Sequence, residues 1–221
     1  MKDKQNMLYF FIALVLVIGI FKYLMNINNE KHPNTSSKTK TDESVKKNAY
    51  IKMRNLALTA TAEQLELKDI DNEKVFGLIS EMNLDNGTIT IVAFLTGDAS
   101  IYLSSGGGFI GSGTHPDINK KIKEIIKNID KFKYNARKVN KVKLPSKGEI
   151  TFNLLTKNGI YQIREKEEKV ISKKSEYFEL FEKVNNIINL IRKKVANKKI
   201  NLIKRNKEVN FRGYEGLFWV P

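Results

Sequence analysis

The chain has 221 residues, 41% of them hydrophobic, with 39 Lys and Arg against 24 Asp and Glu for a net charge of +15. That length suits one domain with a proper core plus appendages, not two large domains. The absence of cysteine excludes disulfides, cysteine-ligated zinc, iron–sulfur clusters and thiol catalysis. Much of the positive excess is Lys scattered among Asn and Ile. This fits a compositional bias as well as it fits an anionic partner, whether nucleic acid or lipid.

Residues 1–6 form a short polar terminus. Met7–Met25 follows, with the fifteen-residue apolar run MLYFFIALVLVIGIF, then Lys22 and Tyr23-Leu24-Met25. As a helix this stretch extends ~28 Å at ~1.5 Å per residue, close to the hydrocarbon thickness of a bilayer, and Lys22 can reach the headgroups. A cleaved signal peptide and a buried core helix are the competing readings. The run is followed by FKYLMNINNE, with no small-residue cleavage pattern, so the expectation is an uncleaved single-pass anchor in the membrane. Lys residues on its two sides nearly balance, and the side on which the rest of the chain lies stays open.

Residues 26–48 are rich in Asn, Ser, Thr and Lys, the composition of a disordered linker, with a reach of ~25 Å. His32 lies here, alone. A globular domain is expected over residues 49–194. Tyr50–Leu67 reads as one helix, or as two broken near Thr59. Its apolar stripe is Ile51, Met53, Leu56 and Leu58, and a capping box runs from Thr61 to Gln64. Lys74–Met82 reads as a strand, and Asp85-Asn86-Gly87 is a strong turn signal. Thr88–Leu95 carries apolar groups on both faces, as a strand in the middle of a sheet does. After Thr96-Gly97-Asp98 the partner strand puts Ala99, Ile101 and Leu103 on one face and Ser100, Tyr102 and Ser104 on the other, so it is half buried. These three strands make an antiparallel meander.

Next comes SSGGGFIGSG, ten residues without a charge in a chain that is 29% charged. Beyond it Thr114 is placed to cap a helix with Pro116 and Asp117 in its first turn. Ile118, Ile122, Ile125, Ile129 and Phe132 form its inner face. The basic loop NARKVNKVKLPSK leads to a second hairpin. Ile150, Phe152 and Leu154 form one face of its first strand, Asn158-Gly159 makes the turn, and Ile160–Arg164 returns. A last helix, Ser175 to about Lys194, directs Tyr177, Phe181, Val184, Ile188 and Ile191 inward, with acids at its start and bases at its end. The fold class is therefore α+β: a five-stranded antiparallel sheet, meander plus hairpin, packed with helices and preceded by a transmembrane helix. Residues 195–221 form a basic tail with the apolar end GYEGLFWVP.

Two places invite a functional reading. The glycine-rich bend contains G-x-G-x-x-G as Gly106, Gly108 and Gly111, and with Gly107, Gly113 and His115 it is the candidate ligand site, a setting for cradling a phosphate. Against a dinucleotide site, the preceding strand sits in a hairpin, and the acid about twenty residues on, Asp130, falls within a helix. The bland reading is that glycines let the chain leave the sheet sharply. His115 near Ser104, Ser105 and Ser112 lacks a nucleophile-elbow pattern and a defined acidic orienter, and no metal-ligand pair stands at helical spacing. In the tail, Lys198, Lys199, Lys204 and Arg205 are candidate contacts to an anionic partner. The bland reading of the tail is a solvated face, or an apolar end that docks on the domain; with the chain anchored, anionic lipid is favoured over nucleic acid if the domain is cytoplasmic.

The segments LALTATAEQL, VFGLISEM and TITIVAFLTGDASIYLSSGGGFIGSGTH resemble an uncharacterised family of small bacterial α+β domains. The resemblance spans roughly Leu56–Ile191 and implies a single folded domain, with no activity or site residue attached. Taken together, the expectation is a membrane-anchored, non-enzymatic interaction or ligand-sensing module that needs no cofactor. Its partners are the bilayer, through Met7–Met25, and a protein or anionic lipid. The alternatives are a small-ligand or nucleotide-handling enzyme using the glycine-rich bend, and nucleic-acid or anionic-lipid binding through the tail.

Overall fold

In the computed structural model, residues 39–84, 87–111 and 116–192 are described. The expected anchor, Met7–Met25, and the basic tail lie outside them. Among the described residues no helix is long and apolar enough to cross a membrane.

The first helix, α1 (Thr39–Leu58), begins within the stretch read as linker and ends near the expected break at Thr59. The capping box then forms as predicted. Thr61 N donates to Gln64 Oε1 at 3.0 Å, and Gln64 N donates to Thr61 Oγ1 at 3.2 Å. It closes only a turn and not a second helix, because the chain passes through a positive φ of 59° at Glu66.

The sheet has seven strands, not five: β1 (Gly77–Leu84), β2 (Gly87–Phe94), β3 (Ala99–Leu103), β4 (Gly108–Phe109), β5 (Arg137–Val139), β6 (Glu149–Thr156) and β7 (Gly159–Lys166). Its order is β4-β3-β2-β1-β6-β7-β5, every pair antiparallel. The meander and the hairpin stand as expected, joined by β1 against β6. The two additional strands are short edges that strand-like side-chain alternation does not mark. β4 comes from the glycine-rich bend and β5 from the basic loop, and each forms because a neighbouring strand offers unpaired backbone groups.

The register sorts the strands into two unlike faces. Ile79 and Glu81 of β1, Thr90 and Val92 of β2, and Thr151, Asn153 and Leu155 of β6 share one face, mixed polar and apolar. Leu78, Met82, Ile89, Ile91, Ile150, Phe152 and Leu154 share the other, almost entirely apolar. All of these side chains are buried, so β1, β2 and β6 are covered on both sides. Helix α1 and the segment after it cover the mixed face, where Ala57 and Ala62 pack with Phe76, Ile79, Val92 and Leu155.

The apolar face is met by α2 (Pro116–Lys127), which packs on β2. A 3-10 turn, Asp130–Lys133, follows. After β7 come a short helix, α3 (Glu167–Ile171), and a helix α4, described over residues 178–192. The inner face of α4 is as predicted: Tyr177, Phe181, Val184, Ile188 and Ile191 are all buried, joined by Leu180 and Ile187. The inner face of α2 differs by one residue. Ile118, Ile122 and Ile126 are buried, while Ile125 is only half covered and faces the groove beside α4. Successive steps of four carry the stripe one position further round than the alternation of four and three supposed.

The correction is measurable. Ile126→Ala should cost about 2–5 kcal/mol in urea unfolding, and Ile125→Ala well under half of that. Equal losses would mean that Ile125 also points into the core.

Candidate functional site

Four features of the domain could carry function: the glycine-rich bend, a buried polar network, an acidic residue clamped at one end of the sheet, and a groove between helices. The bend is the site singled out from sequence. Residues Ser104–Gly107 make the tight turn between β3 and β4, closed by Gly106 N donating to Leu103 O at 2.9 Å and Leu103 N to Gly107 O at 3.1 Å. Gly106 and Gly107 need their glycine here, with φ of 102° and 79°. Gly108 is crowded for another reason: a Cβ there would lie 2.2 Å from the Ile101 carbonyl oxygen. Ser104 ties the turn to β2, its Oγ accepting from Thr88 N at 2.7 Å. Of the amides in this stretch, those of Leu103, Ser104 and Gly106 are thus engaged within the sheet. Gly111 ends the described part of the bend, with a φ of 79°. Gly113 and His115 lie outside the described residues, as do Lys198, Lys199, Lys204 and Arg205. Among the described residues, no cluster of three or more acid or imidazole side chains that could hold a metal ion comes together.

The polar network lies under α1, and sequence reasoning missed it. Arg54 is 5% exposed and Glu81 0%. The guanidinium grips the carboxylate in a fork, Nε to Oε1 at 2.6 Å and Nη2 to Oε2 at 2.8 Å. Thr90 Oγ1 donates to Glu81 Oε1 at 3.1 Å, and the Tyr50 hydroxyl meets Thr90 Oγ1 at 2.8 Å. Burial pushes the Tyr50 hydroxyl up to about 12, so it is protonated at neutral pH. The buried face of α1 is therefore Tyr50, Arg54 and Ala57, while Leu56, expected in the stripe, is 61% exposed. The available signal was Glu81, the one charged residue in the middle of a strand whose buried half is otherwise apolar but for Ser80. A buried carboxylate demands a cation, and Arg54 stands one helical turn from Tyr50.

Arg54 also donates from Nη2 to Val142 O at 3.4 Å, reaching the loop after β5. That loop is held from two further points, with Arg164 Nη2 donating to Lys143 O at 2.8 Å and Asn83 Nδ2 to Pro145 O at 3.1 Å.

At one end of the sheet, Glu73 accepts hydrogen bonds from Lys133 Nζ at 2.5 Å, from Asn158 Nδ2, and from the Tyr161 hydroxyl at 3.3 Å. Lys133 also lies 5.1 Å from the centre of the Tyr161 ring. Beside it Asp130 pairs with Lys74 and accepts from Val75 N. The cluster joins the entry to β1 with the 3-10 turn and the β6–β7 turn, and each charge in it has a partner, as a structural clamp requires.

The groove runs between α2 and α4. It is open to solvent, about 540 Å³ in volume, and lined by Lys121, Glu124, Ile125, Asn128, Lys183, Asn186, Asn189 and Leu190. Asn128 is spent on the Glu124 carbonyl and Asn189 on Arg192. Asn186 is exposed and makes no hydrogen bond with a described residue. The lining offers amide donors and acceptors, two cations and one acid over an aliphatic floor.

Two measurements test these assignments. Arg54→Ala or Glu81→Ala should each destabilise by about 3–5 kcal/mol, because either leaves an uncompensated buried charge, whereas the double change to Met and Leu should lie far closer to the native protein. A double variant as unstable as either single one would refute the pairing. Glu73 titrates differently folded and unfolded: the hydrogen bonds from Lys133 and then Asn158 hold its carboxyl down to about 2 against an ordinary 4.5. Its stabilisation is complete above 4.5 and is lost as pH falls from 4.5 towards 2. Glu73→Gln should flatten that part of the acid limb of an unfolding-versus-pH curve, and an unchanged limb would mean the clamp is not formed.

No protein-family model, curated protein or solved structure matches the chain.

Proposed function

We propose that this protein is a membrane-anchored, non-enzymatic module whose domain docks a protein partner or senses a ligand. The groove between α2 and α4 is the observation that carries the domain's part of this reading. It is open rather than enclosed, and its lining mixes amides, both signs of charge and the side chains of Ile125 and Leu190. Such a surface suits the polar and apolar mixture of a partner's exposed face. Chemistry is better served by a closed, dry chamber with preorganised charge. The anchor part of the reading rests on the apolar run at Met7–Met25.

Support for a binding role also comes from how the domain treats its charges. Arg54 and Glu81, buried beneath α1, are saturated by each other and by Thr90 and Val142. Glu73, Lys133, Asp130 and Lys74 are likewise paired. In the groove, by contrast, Asn186 has no hydrogen-bond partner among the described residues.

Cell envelopes containing the full-length protein should retain it through alkaline carbonate washing. A photo-crosslinking residue in place of Asn186 should give discrete adducts that the same probe at Lys52, exposed on α1, does not. Release of the intact chain by carbonate would end the anchored reading. Identical patterns from both positions would end the assignment of the groove.

A further inference from the structure

From Lys131 to Lys147 the chain carries seven cations and not one acid. Two of them are used inside the domain: Lys131 pairs with Glu179 and Lys133 with Glu73, each at 2.5 Å. Arg137, Lys138, Lys141 and Lys143 are exposed, and no described acid pairs with any of them. Tyr134, 93% exposed, and Leu144, 39% exposed, flank this group along the chain.

The backbone that carries these side chains is fixed. Arg137–Val139 is paired to β7 as the edge strand β5. The loop beyond it is pinned through its main chain, with Arg54 on Val142 O, Arg164 on Lys143 O and Asn83 on Pro145 O, while Ser146 N donates to Glu149 Oε2 at 2.8 Å. Because every one of these contacts uses a backbone atom of the loop, the lysine side chains remain directed to solvent from an ordered scaffold. A flexible lysine tract would have to be ordered on binding; here that loss has already been met in folding.

Charged residues on an edge strand also guard against edge-to-edge aggregation. That accounts for Arg137 and Lys138. It does not account for Lys141 and Lys143, which lie past the strand, nor for a fully exposed tyrosine and an exposed leucine at the two ends of the cationic group.

We infer that the ridge formed by β5 and the following loop is a docking surface for an anionic bilayer, with Arg137, Lys138, Lys141 and Lys143 at headgroup phosphates and Tyr134 and Leu144 at the interface. Charge complementarity requires a polyanion. The amphipathic ring and the aliphatic side chain at its ends favour a lipid surface over nucleic acid, since such groups settle at the boundary between headgroup and acyl chain. The inference rests on the anchored reading above, which keeps a bilayer within reach of the domain. The ridge would then set how the domain lies on the membrane.

Lysine footprinting tests this. Full-length protein reconstituted in phosphatidylcholine vesicles, with or without phosphatidylglycerol, is treated with an amine-reactive label and read by mass spectrometry. Labelling of Lys138, Lys141 and Lys143 should fall roughly threefold or more on the anionic vesicles, with Lys52 unchanged, and should recover in high salt. Equal labelling on both vesicles overturns the proposal. So does stronger protection by a single-stranded oligonucleotide added to the neutral vesicles, which would assign the ridge to nucleic acid. Carbonate release reports separately on the anchor: were the chain released, the labelling of Lys138, Lys141 and Lys143 on anionic against neutral vesicles would still decide the ridge.

Discussion

Glu81 occupies the middle of β1, has no exposed surface, and lies between two other central strands. A carboxylate taken that far out of water must be matched by a cation with hydrogen bonds to spare, and Arg54 supplies both in a two-pronged contact. The rest of the mixed sheet face follows from that requirement. Helix α1 is oriented with Arg54 inward, so Tyr50 comes to rest on Thr90 and Ala57 on the apolar patch around Ile79. The remaining donor of Arg54 then reaches the carbonyl of Val142, tying the loop after β5 to the same point.

The sheet is thus held by two different kinds of contact on its two faces. On one side Ile118, Ile122 and Ile126 of α2, with Phe181, Val184 and Ile188 of α4, form an apolar layer in which volume and burial decide stability. On the other, directional hydrogen bonds and an ion pair fix one orientation of α1. Such contacts often add less net stability than apolar packing of equal volume. Both sheet edges are short: two residues of β4 at one side and three residues of β5 at the other. Short and charged edges limit strand addition from other molecules.

The candidate functional surfaces are by-products of this arrangement. A groove remains where α2 and α4 lie side by side without meeting along their outer faces. A cationic ridge remains where the loop after β5 is held through main-chain carbonyls while Lys141 and Lys143 stay exposed. The glycine-rich bend, which drew attention as a string of uncharged residues, forms the hairpin turn between β3 and β4 over Ser104–Gly107.

What could be read without coordinates was whatever depends on near neighbours in the chain. Alternation in Thr88–Leu95, the amphipathic spacing of Tyr177–Ile191, the capping box at Thr61 and the α+β class all arise from local geometry that a few consecutive residues impose. What required the folded chain was whatever depends on a distant partner. Arg54 and Glu81 are separated by 27 positions, and a charged residue on a helix reads as solvent-facing until its carboxylate is found. Likewise β4 and β5 are strands only because β3 and β7 lie alongside them, and Leu56 is exposed only because Arg54 claims the inward direction. Periodicity locates a face on a helix or strand, but the chemistry of the opposing surface chooses which residues turn towards it.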